Sequence, residues 1–186
     1  MKRVALLFVL TGFVFAASAQ KVKSHENQRP QIQHKFFGCV LGSSYGSVKS
    51  GLESQYKSYD IITGKRKIDL FHASFGGYEW YSSTFVFDRS NKFYRISFQQ
   101  NFSKKEEAYN LYSQLEKKLE YKYGKGIDIT DDAMEKTLSW CDNTCCAILS
   151  LSYGASKGGD YYWYCTLYYY DDKKFTSELK SAMDEL

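Results

Sequence analysis

The sequence predicts a single α+β domain, an antiparallel sheet packed by helices in the order β-α-β4-α-β3-α. Three observations predict it. Between 59 and 100, alternating apolar and polar residues are cut by Gly64-Lys65-Arg66, Gly76-Gly77 and Asp88-Arg89-Ser90-Asn91, the pattern of a strand meander. Ala108, Leu111, Tyr112, Leu115, Leu119 and Tyr123 recur at helical spacing and stop at Gly124. The stretch Tyr161–Tyr170, YYWYCTLYYY, holds seven aromatic residues in ten, and aromatic side chains suit a pleated surface.

Residues 1–19 read as a signal peptide. Lys2 and Arg3 precede an apolar run to Phe15, and Ala17-Ser18-Ala19 supplies small residues for cleavage before Gln20. Cleavage would remove two positive charges and no acid, lowering the net charge of +4 by two, which gives no argument for nucleic acid. No later stretch is apolar enough to cross a bilayer. Residues 20–35 are polar, carry the chain's one proline and read as a flexible leader, so the domain is placed at 36–186. The expected localisation is exported, periplasmic or extracellular.

Within the domain, Phe36–Leu41 reads as a strand. Val48, Leu52 and Tyr56 give a short helix over 45–57. Tyr59–Thr63, Lys67–Phe75, Tyr78–Phe87 and Lys92–Gln100 form the meander. In the expected register Phe85 opposes Tyr94, Ser83 opposes Ile96 and Tyr81 opposes Phe98, with Trp80, Ser82 and Thr84 on the far face. Ser103 and Glu106 form a capping box for a helix over 103–123. Residues 125–135 read as a loop. Lys136–Cys141 and Cys145–Tyr153 form a hairpin around Asp142-Asn143-Thr144. After the aromatic strand, Asp171 or Asp172 caps a last helix striped by Phe175, Leu179 and Ala182.

The chemistry-bearing residues are sparse. The sequence holds three histidines, and none stands at metal-ligand spacing to another histidine or a cysteine pair. There is no nucleophile elbow and no phosphate-binding glycine motif. Lys104, Lys105, Lys117, Lys118 and Lys122 alternate with Glu106, Glu107, Glu116 and Glu120, a solvated helix face rather than a nucleic-acid one. No catalytic, cofactor or metal residue is assigned. The chain reads as a non-enzymatic interaction or binding protein, the alternatives being a hydrolase assembled only in three dimensions and a structural envelope component.

All five cysteines follow the cleavage site, and export favours disulfides. At least one bridge is expected among Cys141, Cys145, Cys146 and Cys165. Cys145 with Cys165 and Cys141 with Cys146 are the natural pairings, and Cys39 is the expected free thiol. The aromatic strand has two faces. Tyr161, Trp163, Cys165, Leu167 and Tyr169 suit a core, whereas Tyr162, Tyr164, Tyr168 and Tyr170 form a phenol row. These four, with Trp80 and Tyr78 from the meander, are the expected contact surface for a protein or glycan partner.

Phe75-Gly76-Gly77 stands before Phe85-x-Phe87, and Tyr94-Arg95-Ile96-Ser97-Phe98 stands before the helix of Ala108, Tyr112, Leu115, Leu119, Tyr123 and Gly124. With Phe37-Gly38 before Leu41-Gly42 and the Ala-Ser-Ala-Gln cleavage site, the chain resembles a group of small uncharacterised exported proteins common in gut-type Bacteroidetes. More remotely, the helix-then-meander order is similar to the repeat of beta-lactamase inhibitory proteins and of small outer-membrane assembly lipoproteins, although no lipid-bearing cysteine follows the cleavage site. The resemblance implies compartment and fold and carries over no catalytic residue.

Overall fold

The computed structural model describes residues 30–131, 135–156 and 158–184. The signal peptide expected at 1–19 and the leader through residue 29 lie outside the described residues. The described strands are β1 (Lys35–Phe36), β2 (Cys39–Val40), β3 (Ile61–Thr63), β4 (Lys67–Phe75), β5 (Tyr78–Phe87), β6 (Phe93–Phe102), β7 (Ile127–Asp128), β8 (Lys136–Cys141), β9 (Cys145–Ala155) and β10 (Tyr161–Asp171). The helices are α1 (Tyr45–Glu53), α2 (Lys105–Tyr123) and α3 (Asp172–Met183). Strands β3 to β10 form one antiparallel sheet in the order β3-β4-β5-β6-β10-β9-β8-β7, and β1 and β2 make a separate hairpin. The class is α+β, as the alternation implied.

One face of the sheet carries the core. Phe98, Ile96, Leu167, Cys165, Leu149 and Leu151 are buried there beneath α2, whose Ala108, Leu111, Tyr112, Leu115, Leu119 and Tyr123 are all buried. Val48 and Leu52 of α1 are fully buried in the same core. The β1–β2 hairpin also packs into it. Its Phe36 ring lies 4.9 Å from Tyr169, and Phe37 lies 5.9 Å from Phe85. On the other face, α3 sets Phe175 at 4.5 Å from Tyr170.

Several elements depart from expectation. The fold begins before residue 36, because Ile32 is buried and its amide donates to the Asp142 carboxylate at 2.7 Å. The strand expected at 36–41 is a hairpin turned by Phe37 and Gly38, both at positive φ (48° and 80°). The first helix stops at Glu53, and a 3-10 turn at Ser58–Asp60 follows it. The loop at 125–135 contains β7, paired to β8. Ser103 does not cap α2. Its N-cap is Lys104, without a side-chain hydrogen bond, so the capping-box spacing is one residue out of place.

The β5–β6 register also differs. Phe85 pairs with Ile96 and Ser83 with Phe98, two residues from the expected pairing, because the turn takes in Lys92 as a fifth residue and a bulge between Val86 and Phe87 leaves Tyr94 as an extra residue on β6. A two-residue shift keeps each side chain on its face, so Phe85, Ile96 and Phe98 still enter the core.

The cysteines follow the strand registers. Cys141 and Cys146 are direct partners across β8 and β9 and form a disulfide. Cys145 and Cys165 are not bonded. Cys145 pairs with Asp171 at one end of the β9–β10 ladder and Cys165 with Leu151 near its middle, so they are too far apart along the strands to bond. Cys39 is free and buried.

Candidate functional site

Strand β10 changes character along its length, and α2 decides where. The helix runs alongside β10, with Tyr109 beside Trp163 (6.2 Å between rings) near its start, while Tyr123 near its end reaches Tyr169. Cys165, Leu167 and Tyr169 are therefore covered. Tyr161 lies beyond the helix and is 62 % exposed, and its neighbour across the hairpin, Tyr153, is 53 % exposed. The two rings stack at 5.6 Å, and Tyr153 continues to Trp163 at 4.9 Å. A contiguous aromatic row, Tyr161–Tyr153–Trp163–Tyr109, thus emerges from the edge of the core. Contiguous exposed aromatic surface is the kind that carries meaning, unlike an isolated exposed ring.

The row has a polar rim. The Lys105 ammonium sits 4.8 Å from the Trp163 ring and 5.2 Å from that of Tyr109. It also approaches Glu135 at 3.6 Å, and the Tyr109 hydroxyl donates to the same carboxylate at 3.1 Å. These contacts hold the rings of Trp163 and Tyr109 in one arrangement.

Beside the row lies a shallow groove of about 380 Å³ between β5, β6 and the first turns of α2. Its origin is a local reversal in β4 and β5. His72 adopts a φ of 52°, and inward-facing positions change from Ile68 and Leu70 to Ala73 along β4. Across the ladder they change from Phe85 and Ser83 to Trp80. The β5–β6 pairing ends at Ser82 and Gln99, and the Tyr81 amide donates instead to the Gln100 side chain at 2.7 Å. The strands part there, and the gap is lined by Gln100, Phe102, Glu79, Glu107, Asn110 and Gln114 among others. Phe102 is the direct register partner of Trp163, but the groove opens on the β5–β6 side of α2 and Lys105 and Tyr109 lie on its β9 side, so the helix stands between groove and row.

The residues expected to form the contact surface are divided. Trp80 is fully buried on the core face, its indole nitrogen donating to the Phe75 carbonyl at 3.1 Å, and it can touch no partner. The reversal at His72 and Tyr81 put it inside, and strict alternation had placed it outside. Tyr78 is half-buried on the core side, in the groove, with the Lys118 ammonium 4.2 Å from its ring. Tyr162, Tyr164, Tyr168 and Tyr170 share the other face and are all half-buried. Tyr170 is covered by Phe175, and burial, with Asp172 nearby, pushes its phenol up to about 12. Tyr168 is held by Thr166 and Ser150. Tyr162 and Tyr164, 6.4 Å apart, lie toward the open end of the strand, on the opposite side from Tyr161 and Trp163.

Sequence reasoning missed the exposed row. Its signal was the pair Tyr153 and Tyr161, aromatic residues on either side of a glycine- and serine-bearing turn. Among the described residues, no group of three or more His, Cys, Asp or Glu side chains is placed to hold a metal ion. No helix among them is long and apolar enough to cross a membrane. No family model, no curated protein and no solved structure matches the chain.

Proposed function

We propose that the chain is a non-enzymatic binding protein of the exported fraction, working in the periplasm or at the cell surface and contacting a protein or glycan partner. The observation that carries this reading is the exposed pair Tyr161 and Tyr153, stacked on each other and backed by the half-buried Trp163, apolar area that the fold leaves in water. Rigid aromatic rings offer large contact area with few torsions to freeze, and phenols add hydrogen bonds at the rim. The Cys141–Cys146 disulfide and the resemblance to small exported Bacteroidetes proteins support the compartment.

A hydrolase reading would fall on Glu79 and Glu107, the two carboxylates of the groove. Both are exposed, whereas a carboxyl kept protonated for acid catalysis is made by apolar burial. The geometry favours binding. The test is capture from envelope extracts by the intact mature chain and by its Tyr153→Ser/Tyr161→Ser variant, with captured species identified by mass. The reading expects a defined set retained by the parent and lost by the variant. Identical capture by both would reject it.

A further inference from the structure

We infer that Arg95 anchors a second site, on the sheet face opposite the exposed row, that takes a carboxylate. The strand registers lay out that face. Arg95 stands on β6 between Val86 of β5 and Tyr170 of β10. Ser97, the next β6 residue on the same face, stands between Thr84 and Tyr168. Helix α3 lies over the first of these rows, its Phe175 ring 4.5 Å from that of Tyr170 and 6.0 Å from the Arg95 guanidinium. Arg95, Ser97, Thr84 and Tyr168 are all half-buried, so the second row still meets solvent.

The acids around this end of the sheet are engaged with other groups. Glu178 holds Arg66 at 3.3 Å and accepts from the Arg89 amide. Asp88 holds Lys174 at 3.2 Å and accepts from the Ser90 and Lys92 amides. Among the described residues no carboxylate pairs with Arg95, and its Nε is buried without a hydrogen-bond partner. A cation drawn partly out of water costs free energy until an anion meets it, and a buried polar group is normally hydrogen-bonded. The orphaned guanidinium therefore points to an anion from outside the chain. The charge count selects which anion. Lys67 is bound to Asp69 at 2.7 Å, Lys174 to Asp88 and Arg66 to Glu178, so Arg95 offers one positive charge. One charge balances a carboxylate and leaves a phosphate monoester, at about −1.5 to −2, undercompensated. The planar guanidinium suits carboxylate oxygens, and the Ser97 hydroxyl can donate to the same group from the next row.

The experiment is titration of the intact mature chain, followed by proton–nitrogen NMR at the Arg95 side chain and the Ser97 amide. N-acetylglycine stands for a peptide terminus and methyl glucuronide for an acidic sugar. N-acetylglycinamide is the neutral control, sodium chloride tests screening, and inorganic phosphate tests charge. The expected result is a saturable shift with at least one carboxylate, about tenfold or more tighter than with any control. Response to N-acetylglycine alone assigns a chain terminus, and response to the glucuronide alone assigns an acidic sugar. Arg95→Gln should abolish the saturable shift at Ser97. Arg95→Lys keeps the charge without the planar fork and should weaken binding by about tenfold, which carries the test if the glutamine variant does not fold. No saturable shift, an equal shift with chloride, a preference for phosphate or full binding by either variant overturns the inference. Arg95 is then a hydrated side chain packed on Phe175.

Discussion

Trp140 donates from its indole nitrogen to the Gly124 carbonyl at 2.8 Å, and its ring lies so close to Gly126 that an added β-carbon there would come within 2.7 Å of it. The contact closes the turn that leads from α2 back to the sheet. Gly126→Ala should therefore displace the indole or the loop. The expected cost is about 1–3 kcal/mol in urea unfolding, as for other overpacked sites. Trp140→Phe removes the ring atoms that clash. The double variant should lose less than the two single losses together, and strict additivity would show that the contact does not constrain the loop.

The Asp142 carboxylate should give the arm at its partner Ile32 an acid-sensitive hold. Burial pushes this carboxyl up, but the amides of Cys145, Thr144 and Ile32 outweigh it and hold the group below the usual carboxylate range. A depressed folded value means that the stabilisation is complete above the ordinary carboxylate range. It is lost as pH falls below that range and through the folded value. Protection of the Ile32 amide, taken relative to its intrinsic exchange rate at each pH, should fall in that window before that of the sheet amides does. In Asp142→Asn, exchange at Ile32 should be fast at neutral pH and lose this acid dependence. A parent profile that follows global unfolding at every pH would reject the local hold.

Thiol counting separates the cysteines. Without reductant, the native chain should leave Cys39, Cys145 and Cys165 unlabelled by a maleimide, because all three are buried. Burial also raises each thiol, that of Cys165 to about 12, which depletes the reactive thiolate. Denaturation without reductant should expose those three and no others. Peptide mapping should find the Cys141–Cys146 bridge alone, and any bridge from Cys165 would contradict the register of β10.

Helix capping offers a second contrast. Asp171 accepts from the Lys174 amide at 2.9 Å at the start of α3, so Asp171→Ala should cost about 1 kcal/mol. Ser103→Ala should stay within about 0.5 kcal/mol, because Ser103 caps nothing. Equal losses in thermal or urea unfolding would restore the capping box.

The elements that repeat a period were legible. The α2 stripe, the strands from Lys67 to Phe102 and the Cys141–Cys146 hairpin all follow from spacing. What was hidden depends on single backbone turns or on neighbours distant in sequence. His72 is not a glycine, and nothing in its surroundings announces a φ of 52°, yet that residue marks where Trp80 comes to face the core. The bulge at Val86 and Phe87 changed partners and, past it, faces: Phe93 enters the core where Tyr94 was expected. The site was hidden for a different reason. Tyr161, Trp163, Cys165 and Leu167 look alike as one strand face, and only the position of α2 divides them into exposed and covered halves.

The three-residue loop inside the disulfide joins the two ends of the described chain. Asp142 takes the amide of Ile32 from the entering arm, and the Thr144 carbonyl accepts from the amide of Asp172 at the start of the final helix. The arm is thus fastened to a covalently closed loop, and the final helix, already continuous with β10, has a second fastening to the same loop. Under a pull on the arm, its hydrogen bond to Asp142 would yield while the strands behind it kept their register. A molecule strained in this way, by a tether on the arm and a bound partner on the sheet, would lengthen first at the arm and keep its strands in register.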